Sequence, residues 1–414
     1  MIRLKVTLCV LFAAFLFQGF AAPSDSCLSG STKLSDGTTE MYRLYVPRNY
    51  STQYRYPLIM CLNGIGTLGS DNKIQVDWDD IAHQWMLDSV KNKYKPFVFY
   101  PQCPSPSGTY EWGYFNTGTA AQKGYAALAT QAAVKVIDSL IKVYPIDTTR
   151  LYVVGLSWGG IGTEACLMSY PNKFAAMGPC AGENYLNTVS VMTKTPFWMW
   201  HGAVDQTVPV APDRNLVAAC STAHYPVVKY YAAINTTTYQ LLTPTGISAD
   251  SLLKAVVNGA KFLYNEVSSV TGCTSTNNHD CSGYHWSGWY ACWFHPLFVP
   301  WLMAWSKVNA VSTFTWPAPG PKAVTAVSQG PLASPASVSG PLQIAGGTIR
   351  WKGVSRLPFR LDIYAANGSL VKRYEICQGE GALDCSGLTK GVYFVTIDAQ
   401  NRSARMMAIS ENRR

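Results

Sequence analysis

The sequence predicts an α/β fold, a mostly parallel sheet flanked by helices, with a small β-sandwich behind it. Three observations carry that prediction. Short apolar runs alternate with longer helical patterns as far as residue 306, the rhythm of strand and crossover helix. Residues 307–341 then turn to Pro, Ala, Ser, Gly and Val with little periodicity, including Pro317, Pro319, Pro321, Pro331 and Pro335, which is the composition of a linker. Beyond it, alternating runs are separated by Asn367-Gly368 and Lys390-Gly391, and this reads as a β-sandwich over 342–414.

Taken in order, Arg3 and Lys5 precede an uncharged apolar stretch over 6–20, with the small residues Gly19 and Ala21 closing it, so 1–21 reads as a secretory signal peptide. The stretch falls short of the roughly 20 residues a membrane-spanning helix needs. No cysteine directly follows Ala21, which argues against lipid anchoring. Within a catalytic domain at 22–306, segments 42–46, 57–62, 97–100, 151–155 and 196–201 read as strands, and 120–143 and 158–170 as helices. In the tail, 361–365, 369–374 and 392–397 alternate like strands.

Apolar residues make up 48% of the 414 positions and charged ones 14%, which excludes a mainly disordered chain, while 33 Gly and 24 Pro argue against a helical bundle. The net charge of +9 is uneven, since 341–414 holds eleven basic and six acidic side chains. The preceding residues show no Lys/Arg cluster, so a nucleic-acid partner is not expected. Of 12 cysteines, Cys9 falls in the signal peptide, leaving an odd number in an oxidising compartment. Cys273–Cys281 and Cys377–Cys385 are plausible bridges, with Cys292 an alternative partner for Cys281. No Cys-x-x-Cys pair occurs and the histidine spacing matches none, so no metal site is expected.

The chemistry begins at Gly155-Leu-Ser157-Trp-Gly159. A serine with glycines two positions to either side, an apolar strand before it and a helical pattern after it, fits a nucleophile elbow, where only small neighbours avoid a clash. Ser157 is the candidate nucleophile. Trp198-Met-Trp-His201-Gly202-Ala-Val-Asp205 reads as a buried strand opening into a loop that carries Asp205, the candidate acid, with Asp213 the best substitute and Asp250 a distant one. The order nucleophile, acid, base leaves His224, His279, His285 and His295, and His285, after a glycine between two apolar runs, is the candidate base. His201 and His83 precede the acid and read as structural.

These segments, together with Leu62-Asn63-Gly64-Ile65-Gly66, Pro101-Gln102-Cys103-Pro104 and Gly283-Tyr-His285-Trp, make residues 40–306 resemble the secreted α/β-hydrolase esterases. That group includes poly(3-hydroxybutyrate) depolymerase-like proteins, carbohydrate esterase family 1 feruloyl and acetylxylan esterases, and predicted peptidases. The resemblance implies an oxyanion hole from the backbone N–H groups of Ile65 and Trp158. It also shows a departure, Asn63 where the family usually has histidine, and extra sequence over 210–244 that reads as a lid, a substrate wall or a surface excursion. The tail, with 361–368 and 388–394, resembles sorting domains of the type IX secretion system, which implies export to the surface or medium and secretion machinery as a partner. A fibronectin-like or carbohydrate-binding sandwich is the alternative.

Trp286 and Trp289 beside His285, and Trp112 with Tyr114 and Phe115, suggest flat aromatic faces for a sugar or an aromatic acyl group. The expected activity is that of a secreted serine esterase acting on a polysaccharide or polyester, foremost acetyl or feruloyl esters of plant cell-wall xylan, with no cofactor. A polyester depolymerase, a serine peptidase and a non-catalytic binding module are the rivals.

Overall fold

The computed structural model describes residues 22–409 apart from 79–80, 106–108, 184–188, 236–239, 246, 272–284, 294, 325–341, 346–347, 352–358, 366–369, 379, 386–387, 389–390 and 398–403. The expected signal peptide, the 325–341 part of the expected linker, Cys273, Cys281 and His279 lie outside them.

Ten strands form one path: β1 (Leu28–Lys33), β2 (Thr39–Tyr45), β3 (Tyr54–Leu62), β4 (Phe97–Gln102), β5 (Ile146–Leu156), β6 (Ala176–Cys180), β7 (Phe197–Gly202), β8 (Val228–Asn235), β9 (Gln240–Thr245) and β10 (Phe262–Thr271). Their spatial order is β1-β2-β4-β3-β5-β6-β7-β10-β8-β9. From β4 to β8 every pairing is parallel, and only the margins, β1 with β2, β2 with β4 and β8 with β9, are antiparallel. Parallel strands covered on both faces must be apolar throughout, and β4, β6 and β7 are buried at every position.

The side chains of successive strand residues point to opposite faces, so the sheet has two cores. Ile59, Cys61, Tyr152, Val154, Trp198 and Trp200 face one, while Leu58, Met60, Leu62, Leu151, Val153 and Met199 face the other. Helices α1 (Ile81–Met86), α5 (Ala249–Val257), α6 (His285–Trp293) and α7 (Phe298–Met303) contribute to the first core. Helices α2 (Leu128–Val143), α3 (Trp158–Ser169) and α4 (Ala211–Thr222) contribute to the second. A fully buried large apolar side chain contributes roughly 1.5–3 kcal/mol, so these two layers hold the framework on which the loops are mounted.

Three expectations change. The helix expected over 120–143 starts at Leu128, because Gly124 sits at φ 81° and the preceding residues form turns. The 210–244 stretch is built into the fold, supplying α4, then β8, which pairs with β10, and β9 at the sheet edge. Finally, residues 307–323 are not linker. A hairpin of β11 (Trp305–Val308) and β12 (Val311–Phe314) is followed by β13 (Lys322–Ala323), which pairs with the start of β3. Buried Arg150 reaches this return segment, its Nη1 donating to the Gly320 carbonyl at 2.8 Å while its Nε pairs with Asp147 at 2.7 Å.

The tail has two antiparallel sheets. Leu342–Ala345, Thr348–Trp351 and Gly381–Asp384 make a three-stranded sheet, and Leu370–Ile376, Phe359–Ala365, Gly391–Ile397 and Ala404–Ile409 a four-stranded one. Cys377 and Cys385, expected as a bridge, are free thiols, as are all nine described cysteines.

Candidate active site

The elbow is set by steric exclusion. Ser157 sits between β5 and α3 at φ 53°, a left-handed conformation that is costly for a residue with a Cβ, and its N–H donates to the Cys180 carbonyl at 2.8 Å. A Cβ on Gly155 would lie 2.1 Å from the Gly159 carbonyl oxygen, and one on Gly159 would lie 1.9 Å from that of Leu62. Both glycines are therefore compulsory, because backbone rather than a movable side chain fills the space. Turning this sharply puts the Ser157 side chain beside the loop after β3, where a Cβ on Gly64 would stand 3.7 Å from the serine Cβ.

Asp205 follows β7 and His285 opens α6, and the structure brings both to Ser157 at the carboxyl ends of the parallel strands, where open α/β sheets bind ligands. His285 Nε2 lies 3.1 Å from Ser157 Oγ, and its Nδ1 lies 2.5 Å from Asp205 Oδ2. Asp205 Oδ1 accepts from the N–H groups of Thr207 (2.8 Å) and Val208 (2.9 Å). Burial raises the Asp205 carboxyl, but hydrogen bonds from His201 and His285 outweigh it and hold the group well below the ordinary carboxylate range. A hydroxyl, a base facing it and a carboxylate orienting that base form the arrangement of an activated serine.

Trp158 is the first residue of α3, so its N–H has no acceptor within the helix, and Ile65 begins a short 3₁₀ turn directly beyond Gly64. The loop after β3 that carries Ile65 is braced by Asn63. Its Nδ2 donates to the Gly64 carbonyl and to Thr67 Oγ1, each at 3.0 Å, and its Oδ1 accepts from the Cys103 N–H at 3.2 Å. Asn63 thus holds together the segment that leads into Ile65.

The aromatic candidates require correction. Trp112 is fully buried and donates its Nε1–H to the Asn63 carbonyl at 2.9 Å, so it supports the loop from behind and is not a substrate-binding face. Trp289, 8% exposed, packs edge-on against His285 with ring centroids 4.9 Å apart, one helical turn along α6. It packs against the His285 ring and presents little open surface. Tyr114 lines a surface groove with Tyr125, Gln131 and Tyr170 near Ser169, about 18 Å along α3 from Ser157 at 1.5 Å per residue. The Trp286 side chain lies outside the described residues.

In the sequence His201 reads as structural and Asp213 only as a substitute acid. The structure pairs the two, His201 Nδ1 lying 2.7 Å from Asp213 Oδ2, and puts His201 Nε2 3.3 Å from Asp205 Oδ2. The i, i+4 spacing of His201 and Asp205 at the end of a strand was the available signal.

Residues 37–224 match the family model for putative esterases, and residues 346–410 match that for the secretion system C-terminal sorting domain. The bifunctional acetylxylan esterase/xylanase XynS20E of Neocallimastix patriciarum is 26% identical over 176 residues, covering 42% of this chain and 23% of that protein. Poly(3-hydroxyalkanoate) depolymerase C of Paucimonas lemoignei is 25% identical over 246 residues, 50% of this chain and 56% of that one. Feruloyl esterase B of Thermothelomyces thermophilus is 28% identical over 191 residues, 44% and 59%. The chain thus spans between about a quarter and three fifths of the length of these relatives. Among solved structures, a thermostable esterase superposes with a TM-score of 0.54 at 27% identity, covering 69% of this chain and 64% of that one. The chain therefore carries an esterase-family domain on an α/β-hydrolase fold and, behind it, a C-terminal secretion sorting domain.

Proposed function

We propose that the protein is a secreted serine esterase whose Ser157, His285 and Asp205 hydrolyse carboxylic esters through an acyl-enzyme. The observation that carries this is the continuous chain from Asp205 Oδ2 through both His285 nitrogens to Ser157 Oγ. Ser157 Oγ attacks the ester carbonyl while His285 Nε2 takes its proton, and His285 then returns that proton to the leaving alkoxide. Water repeats the sequence to release the acid. Asp205 fixes the ring with Nδ1–H toward it and balances the imidazolium that forms. The Ile65 and Trp158 N–H groups hold the oxyanion, each worth about 3 kcal/mol at the transition state.

For the substrate, acetyl or feruloyl esters on xylan are the first reading, supported by the relatives named as acetylxylan and feruloyl esterases. A polyhydroxyalkanoate is the second, because the depolymerase match spans the largest share of this chain among those three. The sorting domain supports delivery to the cell surface or medium through secretion machinery, where insoluble polymers are met. The test is release of acetate, ferulate or 3-hydroxybutyrate from insoluble xylan and from polyhydroxybutyrate, with Ser157→Ala as control. Xylan products lost in the variant support the first reading. Hydroxybutyrate alone moves the assignment to the second, and no release from either overturns both.

A further inference from the structure

His201 is buried in the strand that leads to Asp205, and every group at its ring nitrogens is an oxygen. Nδ1 faces Asp213 Oδ2 at 2.7 Å, while Nε2 faces the Val208 carbonyl at 2.9 Å and Asp205 Oδ2 at 3.3 Å. A neutral imidazole carries one N–H and one lone pair, so it would set a lone pair against an oxygen on one side. The doubly protonated ring satisfies both sides at once.

We propose that His201 is a buried imidazolium, held charged by Asp213, that positions Asp205 for its work on His285. The inference rests on the reading of Ser157, His285 and Asp205 as the catalytic set. With it, Asp205 Oδ2 is shared between two rings and Oδ1 between two backbone N–H groups, so the carboxylate cannot rotate without breaking several bonds.

The surroundings agree. Burial pulls His201 down, yet Asp213, Asp205 and the Val208 carbonyl outweigh it and the ring is pushed up to about 10. From α3, Glu164 faces the pair with neither carboxyl oxygen hydrogen-bonded. Burial pushes it well above the usual range, Asp213 adds to that, and His201 opposes it. Glu183, after β6, is also raised, chiefly by burial. On β10, Glu266 lies opposite His201 in register but is engaged by Arg214 at 2.5 Å and Lys229 at 3.5 Å. From α6, Gly288 approaches the His201 backbone and offers no charge.

Two measurements on the full chain test the proposal. In protein labelled with ¹⁵N-histidine, the His201 signals, assigned by their loss in His201→Gln, should show both nitrogens protonated from pH 5 to 9. With a nitrophenyl acetate, folded His201→Gln should lose about tenfold to a hundredfold in kcat, the scale expected when a catalytic group is misplaced, with KM changed less than about threefold. Removing the positive charge leaves the site more negative, so the acid limb of the rate profile should move to higher pH. Asp213→Asn, which keeps a hydrogen-bond acceptor at that position, should move the limb the same way and serves if His201→Gln does not fold. One unprotonated ring nitrogen at pH 7 overturns the proposal, as does a folded variant with wild-type kcat and an unmoved limb. A wild type inactive on every ester refutes the hydrolase reading instead, and the nitrogen signals still decide the charge on His201.

Discussion

Replacing Asn63 by alanine removes the brace of the loop proposed to hold the oxyanion without touching Ser157. The side chain is 1% exposed and makes three hydrogen bonds. Its loss leaves the Cys103 N–H without that acceptor in a buried site, at a cost of about 1–3 kcal/mol, and removes two bonds to Gly64 and Thr67 worth about 1 kcal/mol each. Thr67 Oγ1 still reaches the Gly64 carbonyl at 3.2 Å, so the loop keeps part of its shape. The expected destabilisation is therefore about 3–5 kcal/mol, a fall in Tm of roughly 6–20 °C at about 2–4 °C per kcal/mol for a large domain. Because Ile65 follows the loosened segment, kcat on a nitrophenyl ester should fall by about tenfold to a hundredfold, approaching the loss of one oxyanion donor, while KM changes little. Calorimetry and steady-state kinetics on the same preparation check both numbers. A lowered Tm with unchanged kcat would refute the link between Asn63 and the oxyanion donor. An unchanged Tm would refute the hydrogen-bond accounting itself.

Further expectations follow from the same contacts. Gly159→Ala forces a Cβ onto the Leu62 carbonyl, so it should give no soluble, active protein, which a solubility assay beside wild type checks. A chain ended after residue 306 should be less stable than one ended after 324 by more than about 3 kcal/mol in urea unfolding, because Arg150 loses its carbonyl partners on the return segment. His201 is raised to about 10 in the fold against about 6.5 when unfolded, so its stabilisation is complete below pH 6.5 and is lost as pH rises toward 10. Tm should therefore fall over pH 6.5–10 in wild type, and His201→Gln should flatten that slope. Asp147, where burial works upward but Thr149 and Arg150 hold the carboxyl below its usual range, contributes stability that is lost on the acid side, and Asp147→Asn should reduce the loss of Tm between pH 5 and 2.

What could be read from the sequence was local. The elbow is visible because both of its glycines answer to atoms within a few residues or on the adjoining strand end, and the apolar strand before it is a continuous run. Asp205 and His285 could be placed by chain order because the parallel sheet delivers strand ends to one edge. Long-range partners were not visible. Trp112 reads as a surface aromatic until its acceptor, the Asn63 carbonyl 49 positions away, is known. His201 reads as one more buried strand residue until Asp213 is carried back against it by α4, and residues 307–323 read as linker because proline-rich text hides the carbonyls that Arg150 uses. The 210–244 stretch looked like an excursion because a strand at a sheet edge has no pattern that distinguishes it from a loop hairpin.

The central claim is that Ser157 becomes acylated, and covalent trapping tests it most directly. The full chain, treated with a slowly deacylating nitrophenyl ester and quenched in acid, should gain one acyl group by mass, located in the peptide containing Ser157 and absent from Ser157→Ala and, at short times, from His285→Ala. An adduct on another residue, or ester hydrolysis undiminished in Ser157→Ala, would contradict the account.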